Sequence, residues 1–271
     1  LFCSVDPKSV ISMHDAETVY SIPLLLYAQG VDKILLKKLN LSSVKPPKLN
    51  DWKRVVEAKL NPKKKVSIAV VGKYVDLKDS YKSLNEALDH AGIVNLAKVE
   101  IDMIDASKIT KSNVSKVLSQ HQAVLIPGGF GSRGVEGMIY ACEYARLNKL
   151  PYFGICLGMQ LMCRHSEENN TDGLGIFQVD VVEFDKTLLK VPQMGWNNLS
   201  ALTSPLFDQL PQDPYVYMVH SYYAPICDQT AAVAEYGIPY SAALHRDNFF
   251  GTQFHPEKSS QVGSKILQQF L

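Results

Sequence analysis

The sequence predicts an α/β protein with a doubly wound, mostly parallel sheet flanked by helices and with a β-rich C-terminal part. Short apolar runs alternate with amphipathic stretches of helical period between residues 66 and 161. Glycine-rich turns follow two of these runs, at residues 127–131 and 154–158. After about residue 174 the pattern changes to short runs that favour strands. In such folds the functional groups lie at the carboxyl ends of the parallel strands.

The first 62 residues are predicted to form a region of their own. One short strand and three helices are expected there, at residues 9–13, 22–29, 32–39 and 51–60. Asp51 is placed to cap the third helix. Residues 42–62 are polar and include two consecutive prolines, which is typical of a linker. Because the length permits two domains, we predict a boundary between residues 1–62 and residues 63–271.

Strands and helices alternate in the second predicted region. Up to the glycine-flanked turn, strands are expected at 66–71, 99–104 and 123–126, and helices at 79–91, 112–120 and within 131–148. The later strands are expected at 177–184, 215–221, 231–236, 241–245 and 249–254, and a helix at 261–271. Cys142 and Cys163 fall at helical positions of this pattern and are predicted to be core residues.

The composition excludes several classes of protein. A net charge of +1 with 20% charged residues is not the signature of a nucleic-acid-binding protein. The five cysteines are odd in number and form no C-x-x-C pair, which argues against a disulfide framework and a zinc site and favours a reducing cytoplasm. The apolar runs are too short to span a membrane. The chain begins at Leu1, within what resembles folded sequence, so we expect a fragment of a longer protein.

Residues 151–161 combine the end of an apolar run with a cysteine flanked by glycines. This pattern predicts a strand, a sharp turn and a helix, with Cys156 in the turn. The positive end of a helix favours the thiolate, which is the nucleophilic form of cysteine. Gly154 and Gly158 let the backbone bend and leave room for a substrate. A buried structural cysteine is the alternative, because unpaired cysteines are commonly buried.

Two further segments supply the groups that a cysteine nucleophile needs. His255 is followed two residues later by Glu257, which places a base close to a carboxylate that can orient it. Residues 127–131 end an apolar run and are rich in glycine, so their N–H groups can stabilise an oxyanion. A nucleophile, a base with its orienting carboxylate and an oxyanion loop therefore occur in one chain.

On these three motifs the chain resembles the class I glutamine amidotransferases, whose members use a Cys-His-Glu triad. The resemblance implies that Cys156 is the nucleophile, that His255 is the base and that Glu257 orients it. The other implied site residues are Gly129 and Leu157 for the oxyanion and Gly128, Gln160, Ser221 and Tyr222 for the glutamine substrate. No metal or cofactor is implied for this half reaction.

The resemblance divides along the chain. Residues 1–160 resemble CTP synthase, from the end of its synthetase domain into its glutaminase domain, on segments 4–11, 22–26, 70–75, 79–83 and 127–137. Residues 150–271 resemble the glutaminase subunit of imidazole glycerol phosphate synthase, on segments 191–197, 220–223 and 254–259. Because each part lacks a motif expected of the other family, we interpret the chain as a mosaic. Residues 1–62 would then be a remnant of a synthetase domain plus a linker.

The resemblance implies an enzyme that hydrolyses L-glutamine to glutamate and ammonia and passes the ammonia to a synthase partner. The chain has no phosphate-loop motif, so the acceptor chemistry is expected from a partner or another domain. The acceptor is either the cyclase of histidine biosynthesis, which the C-terminal half slightly favours, or the CTP-forming domain of pyrimidine biosynthesis. Two alternatives remain: another Cys-His hydrolase of the same fold, such as a γ-glutamyl hydrolase or a peptidase, and an inactive engineered chimera.

Overall fold

A computed structural model describes residues 5–42, 44–75, 77, 79–129, 131 and 133–271. The chain divides into two compact units. One comprises the residues up to Lys64 together with residues 96–98, and the other comprises residues 65–95 and 99–271. These units are defined by compactness, so the predicted domain boundary between residues 1–62 and 63–271 stays a prediction.

The N-terminal unit contains three helices: α1 (Ile22–Ala28), α2 (Val31–Lys38) and α3 (Asn50–Leu60). The expected strand at residues 9–13 is wrong: Pro7–Ser9 is a 3₁₀ turn and residues 10–16 form no regular element. Val10 and Met13 are exposed there, and a strand persists only where a neighbour pairs with it. The expected cap is also wrong, because α3 begins at Asn50 and Asp51 lies inside its first turn.

Among the described residues, no single helix is long and apolar enough to cross a membrane. A bent pair, Val19–Ala28 with Val31–Lys38, meets these criteria by length and composition alone. The two helices of this pair meet at 65°.

The remaining elements belong to the larger unit, apart from Lys64 and residues 97–98, with which two of its strands begin. Its first part contains, in chain order, β1 (Lys64–Gly72), α4 (Lys82–Val94), β2 (Ala97–Asp105), α5 (Val114–Leu118), β3 (Ala123–Ile126), α6 (Val135–Leu147), β4 (Tyr152–Ile155) and α7 (Leu157–Gln160). Its second part contains β5 (His165–Ser166), β6 (Thr171–Asp172), β7 (Asp180–Glu183), β8 (Gln193–Asn198), β9 (Tyr215–His220), β10 (Tyr222–Tyr223), β11 (Thr230–Glu235), β12 (Pro239–Arg246), β13 (Phe249–Thr252) and α8 (Ser260–Phe270).

Seven strands form the central sheet in the order β11-β12-β13-β4-β3-β1-β2. The pairs β1/β3, β3/β4 and β4/β13 are parallel, whereas β12 pairs antiparallel with both β13 and β11. The predicted α/β class with a mostly parallel sheet is therefore confirmed, and so is the β-rich C-terminal part. A four-stranded sheet, β10-β7-β5-β6, and a two-stranded ribbon, β8-β9, complete the structure.

The central sheet is buried on both faces, as β1 illustrates. Ile68 and Val70 belong to one hydrophobic cluster, and Ala69 and Val71 belong to a second one. Successive residues of a strand point to opposite faces, so both faces must be covered. This explains why β1 is a continuous apolar run rather than an alternating one.

Several predicted bounds change in the structure. α4 begins three residues later than expected, because residues 79–81 form a turn. α5 has five residues and is shorter than expected, and α7 is a single turn of four residues. Cys142 is buried on α6, but Cys163 lies in a bend after α7, so its predicted helical position is wrong although its burial is confirmed.

Candidate active site

Cys156 occupies the turn between β4 and α7. Its backbone angles, φ 51° and ψ −105°, are unusual for a residue with a side chain. The N–H of Cys156 donates to the carbonyl of Thr252 at 2.7 Å, which anchors the turn to β13. Because the predicted helix, α7, is one turn long, it contributes a smaller dipole than a helix of several turns.

The turn depends on glycine at two places. A Cβ at Gly154 would overlap the carbonyl of Gly158, and a Cβ at Gly158 would overlap the carbonyl of Ile126. The end of β3, the end of β4 and the start of α7 therefore approach one another more closely than any side chain permits. This packing holds Cys156 at the carboxyl edge of the sheet, where the fold class predicts the site.

His255 and Glu257 lie beside each other on the segment that follows β13. The His255 Nδ1 atom is 2.8 Å from Glu257 Oε1, and the two side chains are 14% and 10% exposed. Pro256 begins a 3₁₀ turn that brings Glu257 back to the imidazole ring. The Ser259 hydroxyl donates to the carbonyl of His255 at 2.6 Å, which fixes the backbone of this turn.

The His255 ring also interacts with Cys156. Burial lowers the pKa of His255, but its hydrogen bonds to Cys156 and Glu257 raise that pKa by more, to about 10. The imidazole is therefore held as a cation beside the sulfur at neutral pH. A Cβ at Gly128 would lie 2.8 Å from His255 Cε1 and 3.4 Å from Cys156 Cβ, so glycine at this position lets the two side chains approach each other.

The glycine loop after β3 lies against a buried lysine. A Cβ at Gly129 would lie 3.3 Å from the Lys73 side chain, and Lys73 Nζ donates to the carbonyl of Gly131. Burial lowers the pKa of Lys73, while the nearby Glu168 carboxylate opposes that shift. Lys73 thus packs along the loop and holds the position of its backbone.

Two cavities meet at Cys156 and together include every site residue that the sequence predicts. The smaller, of about 50 Å³, is lined by Gly129, Cys156, Leu157, Gln160, Glu168, Val219, His220, Ser221 and Tyr222. The larger, of about 420 Å³, includes Gly128, His255 and Glu257, and it shares Gly129 and Cys156 with the first. Segments far apart in the chain are therefore brought to one place.

Glu168 lines the candidate site, and the sequence does not reveal it. It lies in a 3₁₀ turn between β5 and β6 and lines the smaller cavity with Cys156 and Gln160. Burial raises the pKa of Glu168, and Lys73 opposes this shift. In the sequence Glu168 belongs to a run of polar residues that is typical of solvated surface, and no spacing relates it to the cysteine.

His220 supports the backbone that borders the smaller cavity. Its Nδ1 atom lies 2.8 Å from the carbonyl of Tyr222, an acceptor, so Nδ1 carries the proton. Its Nε2 atom lies 3.4 Å from the Tyr240 hydroxyl. Burial, reinforced by the charge of His255, lowers the pKa of His220 to about 4. His220 is therefore a neutral structural histidine near His255.

We expect His220 to make the protein sensitive to acid. The unfolded chain takes up a proton at His220 near pH 6.5, and the folded chain does so only near pH 4, so stability falls as the pH drops through this window. The expected loss is about 3 kcal/mol. His255 does not contribute there, because it is protonated in both states.

Urea unfolding of the parent and of His220→Asn at pH 7 and pH 4.5 isolates this loss, because any contribution of His255 is common to both proteins and cancels in the comparison. The His220→Asn variant keeps a donor for the Tyr222 carbonyl but does not titrate, so its stability should depend less on pH by about one proton. The surface variant His245→Asn serves as the control and should retain the parent slope. Equal slopes in parent and His220→Asn would contradict the assignment.

Among the described residues, no three His, Cys, Asp or Glu side chains are grouped as metal ligands. A thiol, a cationic imidazole with its carboxylate and a glycine loop are suited to attack on a carbonyl carbon.

Comparison with protein-family models finds two matches. The model for class I glutamine amidotransferases matches residues 76–271, and the model for the CTP synthase N-terminus matches residues 1–41. The CTP synthase of Listeria innocua is 50% identical over 161 residues, which is 59% of this chain and 30% of that protein. The CTP synthase of Pelagibacter ubique is 44% identical over 191 residues, which is 70% of this chain and 35% of that protein.

The chain thus spans about a third of the length of these relatives. Among solved structures, the glutaminase domain of Trypanosoma brucei CTPS with bound acivicin matches with a TM-score of 0.61 and 23% identity. That match covers 76% of this chain and 91% of the solved one, and at this identity it shows the fold alone. The expected similarity to imidazole glycerol phosphate synthase and the mosaic interpretation stay predictions.

Proposed function

This chain belongs to the class I glutamine amidotransferase family, and we propose that it hydrolyses L-glutamine to glutamate and ammonia through Cys156, His255 and Glu257. The observation that carries this proposal is that two cavities share Cys156 in their linings. One cavity contains the base and its carboxylate, and the other contains the polar groups suited to bind an amino acid.

The reaction begins when the Cys156 thiolate attacks the side-chain amide carbon of glutamine. The N–H groups of Gly129 and Leu157 stabilise the oxyanion, and each such donor is worth about 3 kcal/mol of barrier. As the C–N bond breaks, His255 gives its proton to the departing ammonia. Water then attacks the γ-glutamyl thioester, His255 takes a proton from it, and glutamate leaves as the thiolate is restored.

Glutamine is proposed to bind in the smaller cavity. Gly128 and Gln160 hold the substrate, and Ser221 and Tyr222 bind its α-groups through the backbone. Glu168 extends this set: its half-buried carboxylate borders Gln160 and Tyr222, where it can pair with the substrate ammonium. A cationic ligand would offset the cost of burying that carboxylate.

The ammonia acceptor is proposed to be a CTP-forming synthetase domain. The N-terminal family match and the named CTP synthase relatives support this choice. The cyclase of histidine biosynthesis is the second candidate, since Met194 and Trp196 are 64% and 54% exposed on β8, within the segment that resembles that family. Such an exposed pair on a two-stranded ribbon suits a docking partner.

The test uses glutamine labelled with ¹⁵N in its side-chain amide. We expect the chain to release glutamate and labelled ammonia, and expect a CTP-type synthetase supplied with UTP and ATP to take up the label into its product. Faster cleavage of γ-glutamyl peptides than of glutamine would contradict the proposal and favour another Cys-His hydrolase. Transfer of label through the histidine-pathway cyclase alone would favour the second acceptor.

A further inference from the structure

We propose that Gln253 is a further catalytic residue: its side-chain amide donates a hydrogen bond to the Cys156 sulfur and stabilises the thiolate beside the His255 cation. The Gln253 Nε2 atom lies 3.5 Å from Cys156 Sγ. The inference rests on the proposed function, because it concerns the same nucleophile. Neither the family motifs nor the sequence pattern assigns this residue a role.

The backbone carbonyl of Tyr222 decides which end of the Gln253 amide faces the sulfur, and it does so through the side chain of Gln160. The carbonyl of Tyr222 can only accept, and Gln160 Nε2 lies 3.2 Å from it. The same Nε2 atom lies 3.0 Å from Gln253, which must therefore present its oxygen to Gln160. The NH₂ group of Gln253 is consequently the end that meets the sulfur.

The opposite orientation of Gln253 is excluded by the same chain of contacts. It would place two NH₂ groups face to face at 3.0 Å and would leave a carbonyl oxygen against the sulfur. The Tyr222 carbonyl has a second donor, His220 Nδ1, which holds it in place. The donor and acceptor atoms in the chain of hydrogen bonds from Tyr222 through Gln160 to Gln253 can therefore be arranged in only one way.

Burial makes this donor a fixed one. Gln253 is 0% exposed and Gln160 is 5% exposed, so neither amide can turn to solvent. The backbone N–H of Gln253 donates to the carbonyl of Ala242 at 2.8 Å, which holds the residue on the end of the central sheet. A buried amide that cannot reorganise is already placed for the anion that forms during the reaction.

The donor matters most when the sulfur is negative. Hydrogen bonds to an ionised acceptor are stronger than those between neutral groups, so Gln253 favours the thiolate before attack and again when the thioester is cleaved. The charged residues that line the two cavities with Cys156 are His255, Glu257 and Lys258 after β13, Glu168 after β5 and Asp79 before α4, and Lys73 after β1 lies against the loop at Gly129. Replacing Gln253 with a neutral residue leaves all of these charges in place.

The experiment measures the pH profile of Cys156 alkylation by iodoacetamide without glutamine, with the modified residue located by peptide mass mapping. In Gln253→Met, which has similar length and no donor, we expect alkylation at pH 6–7 to slow about tenfold and the half-maximal rate to move to higher pH. We expect kcat for glutamine hydrolysis to fall by a similar factor and KM to change less than about threefold.

Two further variants make the result decisive. Gln253→Glu keeps an acceptor for Gln160, loses the donor and places a carboxyl group beside the sulfur, so it should move the half-maximal alkylation rate to higher pH at least as far as Gln253→Met does. Gln178→Met removes an exposed glutamine and should match the parent. Folded Gln253 variants with the parent alkylation profile and kcat would overturn the inference. If alkylation differs between the parent and Gln253→Met as expected but the parent does not hydrolyse glutamine, the result would instead overturn the proposed function.

Discussion

Replacing Cys156 with alanine is expected to lower glutamate release by about 10⁴-fold or more, because a triad without its nucleophile retains only binding and oxyanion stabilisation. Cys156 lines both cavities. Its sulfur interacts with the side chains of His255 and Gln253. The measurement is glutamate formation under saturating glutamine. Residual activity within tenfold of the parent would show that the sulfur is not the nucleophile.

A glutamine-analogue electrophile separates assembly of the site from turnover. We expect a diazo-ketone of the norleucine type to add once to the parent and not to Cys156→Ala, as read by intact mass. Cys227→Ala is the matched control, since Cys227 is half-buried outside both cavities and its variant should retain the adduct and the activity. A folded parent without an adduct would count against a formed pocket.

Replacing Gly158 with alanine is expected to destabilise the fold by about 3 kcal/mol. The new methyl would overlap the carbonyl of Ile126 and lie 3.1 Å from its Cβ, and a backbone carbonyl at the end of a buried strand cannot move aside as a flexible side chain can. The turn that carries Cys156 would be pushed off β3. Urea unfolding followed by circular dichroism measures this loss.

Gly129→Ala is the control for this change. Its Cβ would meet the aliphatic part of Lys73 at 3.3 Å, which is a flexible chain, so the variant should remain within about 1 kcal/mol of the parent. If Gly158→Ala unfolds at the same urea concentration as the parent, the close approach of α7 to β3 is wrong. The two substitutions are chemically identical and differ only in what surrounds the added methyl group.

Much of the site could be predicted because its motifs are local. Gly154, Cys156 and Gly158 lie within five residues, and His255 and Glu257 lie within three, so backbone geometry alone brings each group together. The parallel sheet then places the ends of β3, β4 and β13 side by side. The local motifs and the fold class together were enough to indicate where the candidate site lies.

The residues that were missed depend on contacts between distant segments. Glu168 resembles surface sequence, yet its turn lies over the same cavity as Cys156. Gln253 meets Cys156 across 97 residues and Gln160 across 93. β8 was missed because its residues have little strand propensity, and it forms by pairing with β9 over six residues.

The sequence by itself determined the alternation of strands and helices, the turn at Cys156 and the pairing of His255 with Glu257, because each follows from residues that are close in the chain. Only the tertiary structure decided that residues 9–13 form no strand, that His220 is neutral and that Gln253 faces the sulfur. Each of these depends on which neighbours fold against the residue. Burial and hydrogen-bond partners are set by those neighbours.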